Sequence, residues 1–274
     1  MIKELNAANC NPDYIKQIND DPDFSNPAFS DNDEVIAAFQ KADDKPNEHI
    51  FGVYDGDNEL TGLFLFLISE EERYMELLVC LCREESAYRE LFDYLQMNYP
   101  GFQVDFVFNP ENVLLKEILK EKDAYFDEEQ QQMLLTDRPV FVDTSGIESL
   151  SEQYQEQYFA MHDTDRYWTG EKVAEAEERF NVYLAVDDGT VVGYLDITKC
   201  FDENEPFDIV VMKQHRRKGW GRKLMAAAIE GNRPKKMRLH VDVGNRPAIH
   251  LYESLGFEKV KGKNSQTVNW IIPE

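Results

Sequence analysis

Val211-Met212-Lys213-Gln214-His215-Arg216-Arg217-Lys218-Gly219-Trp220-Gly221-Arg222-Lys223-Leu224 joins a strand to a helix. Upstream, Phe207-Asp208-Ile209-Val210-Val211 has strand composition, and downstream Leu224, Met225, Ala228 and Ile229 form one apolar helical stripe over about Gly219 to Glu230. Six of the fourteen residues are Lys or Arg, in a 274-residue chain with 53 acidic against 29 basic residues and a net charge of −24. A small positive patch therefore sits in a strongly acidic protein. Gly219 and Gly221 permit positive φ and close backbone approach. The first amides of a helix have no intrahelical acceptor, and the helix dipole adds partial positive charge there. Together these features describe a cradle for phosphate or pyrophosphate. It is not a dinucleotide fingerprint, since Leu224 stands where a third glycine is needed, and no Walker A loop is present.

Working outward, strands are expected at 182–186, 191–195, 207–211 and 237–241, with closing strands around 257–260 and 267–272. Asp187-Asp188-Gly189 is a hairpin turn, and Ala248, Leu251, Tyr252 and Leu255 mark a second helix. The first half repeats this order. It has strands at 50–54, 63–66 and 75–81, a helix carrying Tyr88, Leu91, Phe92 and Leu95, a strand at 103–107, and a helix over 110–120. Further helices are expected at 31–41, 147–161 and 171–180. Thr136-Asp137-Arg138-Pro139 supplies a polar, proline-ended seam, which divides the chain into domains 1–138 and 139–274. Each is expected to be an α/β domain, a mixed and mostly antiparallel sheet flanked by helices.

Arg216-Arg217-Lys218-Gly219-Trp220-Gly221 matches R-x-x-G-x-G, and Asn245-Arg246-Pro247-Ala248-Ile249-His250-Leu251-Tyr252-Glu253-Ser254-Leu255-Gly256-Phe257 matches N-x-x-A-x-x-x-Y-x-x-x-G-F. In this order, with a strand between them, they resemble the acetyl-CoA-binding segments of the GNAT superfamily of N-acetyltransferases. The resemblance is strong over about 140–274 and reaches the first half only through element order, so it implies two GNAT-like domains in tandem. It implies acetyl-CoA as cosubstrate, with its diphosphate on the amides of Arg217, Lys218, Gly219, Trp220, Gly221 and Arg222 beside Arg216. Its pantetheine would lie along the strand ending at Val211 and Met212. Arg246 is expected at the N-cap with Pro247 opening the helix, which leaves the Asn245 amide free for a neighbour or ligand. Leu251, Leu255 and Phe257 read as core residues and Gly256 as a helix C-cap.

Acetyl transfer from a thioester requires an amine to lose a proton and a thiolate to gain one. The resemblance implies Tyr252 as the acid that protonates the departing thiolate. For the base it offers Glu205, six residues before Val211, with Asp208 and Asp196 as rivals and an ordered water as another route. In so acidic a chain each carboxylate also reads as a solvated surface charge. The first half departs from the pattern: Cys82-Arg83-Glu84-Glu85-Ser86 replaces the basic loop with acids, and Lys116 stands where Tyr252 does. That copy is expected to be degenerate and to support the second domain or shape its acceptor site. A non-catalytic acyl-CoA sensor or interaction module is the alternative reading.

The resemblance implies a small-molecule or peptide amine as acceptor, and the negative charge favours a cationic one. The same charge repels nucleic acid and anionic membranes. The longest apolar run, Leu63 to Ile68, is far below the ~20 residues of a membrane helix. With no signal peptide in view, a cytoplasmic location is expected. Cys10, Cys80, Cys82 and Cys200 have no metal-site spacing. His240-Val241-Asp242 and His162-Asp163-Thr164-Asp165 lack an identifiable third ligand, so no metal is expected.

Overall fold

The computed structural model describes residues 1–29, 31–137, 143–162 and 168–274. In chain order the elements are β1 (Ile2–Leu5), α1 (Pro12–Asn19), α2 (Asn32–Ala42), β2 (Glu48–Tyr54), β3 (Leu60–Ser69), β4 (Tyr74–Cys82), α3 (Glu85–Asn98), β5 (Gln103–Phe108), α4 (Val113–Glu121), β6 (Tyr125–Phe126) and β7 (Gln130–Leu135). They continue with β8 (Ile147–Ser149), α5 (Gln155–Phe159), α6 (Gly170–Glu175), β9 (Phe180–Asp187), β10 (Thr190–Thr198), β11 (Glu203–Asn204), β12 (Pro206–Val211), α7 (Trp220–Gly231), β13 (Lys236–Asp242), α8 (Arg246–Glu253), β14 (Phe257–Lys259) and β15 (Gln266–Ile271). Two compact units result: Met1–Gln131 with Asp242–Gly244 and Val260–Glu274, and Gln132–Val241 with Asn245–Lys259.

The first unit is a seven-stranded sheet in the order β1-β2-β3-β4-β5-β15-β6. Only β4 and β5 run parallel, from Tyr74 opposite Gln103 to Leu77 opposite Phe106. The run of apolar residues in β3 is explained by burial on both faces. Leu63 and Leu65 pack with Ile15, Ile18, Val35 and Phe39, whereas Phe64 and Phe66 join Tyr88, Leu91, Phe92 and Leu95. Asp31 caps α2 by accepting from the Glu34 amide, and Asn112 caps α4 by accepting from that of Leu115.

The second unit holds two four-stranded sheets, β12-β10-β9-β8 and β11-β13-β7-β14. The β9–β10 hairpin turns through Asp188 and Gly189, both at positive φ, with Asp187 opposite Thr190, as its sequence predicts. Parallel pairing of Glu203 with Lys236 and Asn204 with Met237 holds β11 beside β13. At Glu205 the chain changes sheets. Its backbone pairs with Thr198 of β10, and β12 then follows β10 from Ile197 opposite Pro206 to Gly193 opposite Val211. Beyond this crotch β12 and β13 belong to different sheets, and β12 is an edge strand whose side away from β10, the slot side, pairs with no described strand.

A single cut at 138/139 does not reproduce these units. β15 pairs with β5 from Gln266 opposite Phe108 to Ile271 opposite Gln103, and its Trp270 is buried 5.1 Å from Phe92 in the first unit's core. Conversely, Met133, Leu134 and Leu135 of β7 pair with β14 in the second unit. Alternation reveals a strand but carries no information about which distant sheet receives it. The expected helix over 147–161 likewise opens as β8 before α5, and that over 171–180 ends with α6 at Glu175. Residues 138–139 of the seam and 163–165 of the second histidine motif lie outside the described residues.

Gly256, at φ 92°, leads α8 into β14, and a Cβ there would lie 1.6 Å from the Asp137 carbonyl oxygen. Left-handed strain costs about 1–2 kcal/mol and overpacking about 1–3 kcal/mol. Gly256→Ala is therefore expected to destabilise the protein by about 3 kcal/mol in denaturant titrations; a loss under about 1 kcal/mol would mean that the turn relaxes freely.

Candidate active site

Gly219 caps α7 with φ 90°, following Arg217 at φ 64°. Among the described residues, the amides of Arg217, Lys218, Gly219, Trp220, Gly221 and Arg222 donate no hydrogen bond within the protein. A Cβ on Gly219 would meet nothing within 4 Å, so this position faces open space. The side chains of the segment are arranged around that opening. Trp220 turns inward, its ring within 3.0 Å of a Cβ built on Gly146. The Arg222 guanidinium bonds Ser254 on its hydroxyl and carbonyl, and Arg216 Nε donates to the Val211 carbonyl at 2.9 Å. Main-chain N–H groups, with Lys218 and Arg217 exposed beside them, are left to meet an anion.

The Met212 amide donates to Val192 and its carbonyl accepts from His215, so both polar groups are used internally. Alternation along the strand leaves the backbone of Val211 and Ile209 on the slot side of β12. Asn245 is itself the N-cap of α8, its side chain accepting from the Ala248 amide at 3.3 Å, and Pro247 occupies the second helical position. The helix thus starts one residue earlier than the X-Pro rule places it, and the Asn245 carbonyl oxygen serves the cap rather than a ligand.

Tyr252 lies on the inward face of α8, 7% exposed, in the core that includes Met237, Leu239 and Val241. Burial raises its pKa, so the phenol stays protonated and is a proton donor only. Glu205 reaches from the crotch toward β13, 3.4 Å from Arg238 Nε and 3.7 Å from His240 Nδ1. Burial opposes its charge, but His240 and Arg238 prevail and hold the carboxyl below its ordinary value. In the sequence His240 stands out only through its spacing from Asp242; its approach to Glu205 is a long-range contact that spacing does not encode. Among the described residues no three His, Cys, Asp or Glu side chains converge as a metal site.

The rival carboxylates occupy the other side of β10 and β12, with Tyr158 and Tyr194. Asp196 is fully buried, accepts from the Tyr158 hydroxyl at 2.9 Å, and lies 3.3 Å from His162 Nε2. Burial, opposed by the Tyr158 hydrogen bond and aided by the charge of Asp208, pushes Asp196 up to about 8. Tyr194 stacks on His162 at 4.3 Å and donates to Asp208 at 2.7 Å.

At the position of the α7 cradle, the first unit has Glu84 as the cap of α3 and Glu85 in its first turn. Tyr88 fills the space behind it, donating to the Cys82 carbonyl at 2.9 Å and accepting from Asn112 Nδ2 at 2.7 Å. Cys80 and Cys82 are buried free thiols, as is Cys10, whereas Cys200 is exposed. No helix among the described residues is long and apolar enough to cross a membrane.

The architecture is an α/β protein of two GNAT-like domains, each built on mixed sheets flanked by helices. Residues 147–257 match the Acetyltransferase (GNAT) family. Over 111 residues the chain is 32% identical to an N-alpha-acetyltransferase of Sulfurisphaera tokodaii, covering 35% of this chain and 65% of that protein. The chain thus spans slightly less than two thirds of that relative's length. A GCN5-related N-acetyltransferase from Sphaerobacter thermophilus shares the fold at a TM-score of 0.67 and 12% identity, over 100% of this chain and 96% of that one. A tandem GNAT protein from the clavulanic acid biosynthesis pathway matches at a TM-score of 0.51 and 12% identity, over 100% and 99% of the two chains.

Proposed function

We propose that the second unit binds acetyl-CoA and transfers its acetyl group to an amine, and that the first unit binds no acetyl-CoA. The observation that carries this reading is the row of unpaired amides from Arg217 to Arg222 around the open side of Gly219, within the matched segment. Acetyl-CoA, when bound, supplies the activated acetyl group. The amides and dipole of α7 hold its diphosphate, with Arg216, Arg217 and Lys218 adding charge. The Val211 backbone lines the slot for the pantetheine, and Tyr252 gives its phenolic proton to the leaving sulfur. Glu205 is the carboxylate on the acceptor side. In the first unit, Glu84 and Glu85 would repel a diphosphate and Tyr88 takes up the space behind them.

The N-alpha-acetyltransferase relative makes a peptide α-amine one acceptor class to test, and the net charge of −24 makes a polyamine another. Release of CoA thiol with either amine tests the activity; binding of acetyl-CoA without release from any amine would leave a sensor instead. In Tyr252→Phe, acetyl-CoA affinity is expected to stay within about twofold while kcat falls about 100-fold. Equal turnover would remove the tyrosine from the chemistry.

A further inference from the structure

We propose that the first unit holds a ligand site of its own, a cavity beneath α2 that takes a primary amine carrying an apolar tail and needs no acetyl-CoA. The cavity, about 600 Å³, lies between one face of α2 and strands β3, β4 and β5. That volume falls within the roughly 300–1,000 Å³ typical of small-molecule sites.

Helix periodicity makes the space. Val35, Phe39 and Ala42 anchor α2 in the core that also holds Ile15 and Ile18. The neighbouring stripe, Glu34, Ala37, Ala38 and Lys41, has the i, i+3, i+4, i+7 spacing of a single helix face and lines the cavity. At its middle the two alanines present only methyl groups to Leu65, Leu78 and Val107 of the strands, and the gap between them is the cavity. Leu78 and Val107 are consequently only half-buried. An apolar tail laid along them would complete their burial.

Strand alternation sets the polar end. Met75 and Leu77 of β4 belong to the core that contains Tyr88, Leu91 and Phe92 of α3, so Glu76 between them points to the α2 side, where it lines the cavity. Val104 and Phe106 orient Asp105 the same way, and Asp105 stands opposite Glu76 in parallel register. Asp105 accepts from the Tyr74 hydroxyl at 3.1 Å, from Gln103 Nε2 at 2.9 Å and from Asn269 Nδ2 at 2.8 Å, all uncharged donors. Among the described residues no hydrogen bond reaches the Glu76 carboxylate, and no cation pairs with either acid. Burial, with the charge of Asp105 added, raises the Glu76 pKa, a cost that an ammonium group beside it would offset. The lysines of the cavity are placed differently. Lys45 bonds Glu48 at 2.6 Å, and Lys41 is exposed to solvent. A ligand carboxylate would meet the two acids with only a solvated lysine in return, whereas an ammonium meets a half-buried charge that lacks a counterion.

Octylamine, 1-octanol and octanoate, which share a tail and differ in head group, are titrated into the full chain without acetyl-CoA. Calorimetry reads affinity, and amide chemical shifts locate the site. Octylamine is expected to bind saturably, with shifts at Ala37, Ala38, Glu76 and Leu78, at least about tenfold tighter than 1-octanol, and octanoate is expected to bind weakest. Glu76→Gln is expected to bring the amine down to the affinity of the alcohol. Ala37→Leu is expected to abolish binding of both by filling the space, with circular dichroism reporting whether each variant is folded. Equal affinity for amine and alcohol in wild type, a preference for octanoate, unchanged octylamine affinity in Glu76→Gln, or shifts confined to the second unit would overturn the inference. No arm uses acetyl-CoA, so the acetyltransferase reading stands or falls separately.

Discussion

Gly219→Val is expected to weaken acetyl-CoA binding by at least about 100-fold, because two or more charge-assisted hydrogen bonds worth about 1.5–3 kcal/mol each would be lost. Two effects combine. The φ of 90° at the α7 cap disfavours any side chain, and the added carbons would project into space that is otherwise empty within 4 Å. Gly221→Ala is the control. A Cβ there would make an ordinary 3.5 Å contact with Leu251, and affinity is expected to remain within about threefold. Calorimetry separates the outcomes, with far-ultraviolet circular dichroism reporting whether each variant is folded. Unchanged affinity in folded Gly219→Val would remove the cradle as the diphosphate site.

Asp196→Asn is expected to change the pH dependence of stability strongly. The folded carboxyl titrates at about 8 against an ordinary value of 3.8. Between those values the native state keeps a proton that the unfolded chain has released, so wild-type stability falls as pH rises through this window. At 1.36 kcal/mol per unit, the three units between pH 5 and pH 8 amount to about 4 kcal/mol. Asparagine cannot ionise, yet its oxygen still accepts from Tyr158. Denaturant titrations at pH 5 and pH 8 should therefore show a variant that gains on wild type at the higher pH. Parallel behaviour would mean that Asp196 is charged in the folded protein throughout.

Local chemistry was the part of this protein that its sequence made legible. Positive φ at Asp188 and Gly189 follows from an Asp-Gly turn, and the α7 cradle follows from Gly219 and Gly221 after a strand. The burial of Leu251, Leu255 and Phe257 follows from helical and strand spacing, although Leu251 is only half-buried. What escaped were pairings between distant segments. β15 is strand-like wherever it pairs, and nothing within Gln266–Ile271 names β5 as its partner. His240 looks like half of a metal motif until Glu205, thirty-five residues earlier, is seen to reach it from the crotch. Asn245 exposed a narrower gap: the rule for residues before proline put the cap at Arg246, but the hydrogen bond to the Ala248 amide moves it back by one.

Amide chemical-shift mapping of the full chain with acetyl-CoA tests the central claim most directly. Saturable shifts are expected at Arg217, Lys218, Gly219, Trp220, Gly221 and Arg222, with the amides at the start of α3 unmoved. Shifts centred on Glu84 to Tyr88, or none around Gly219 at millimolar acetyl-CoA, would contradict it.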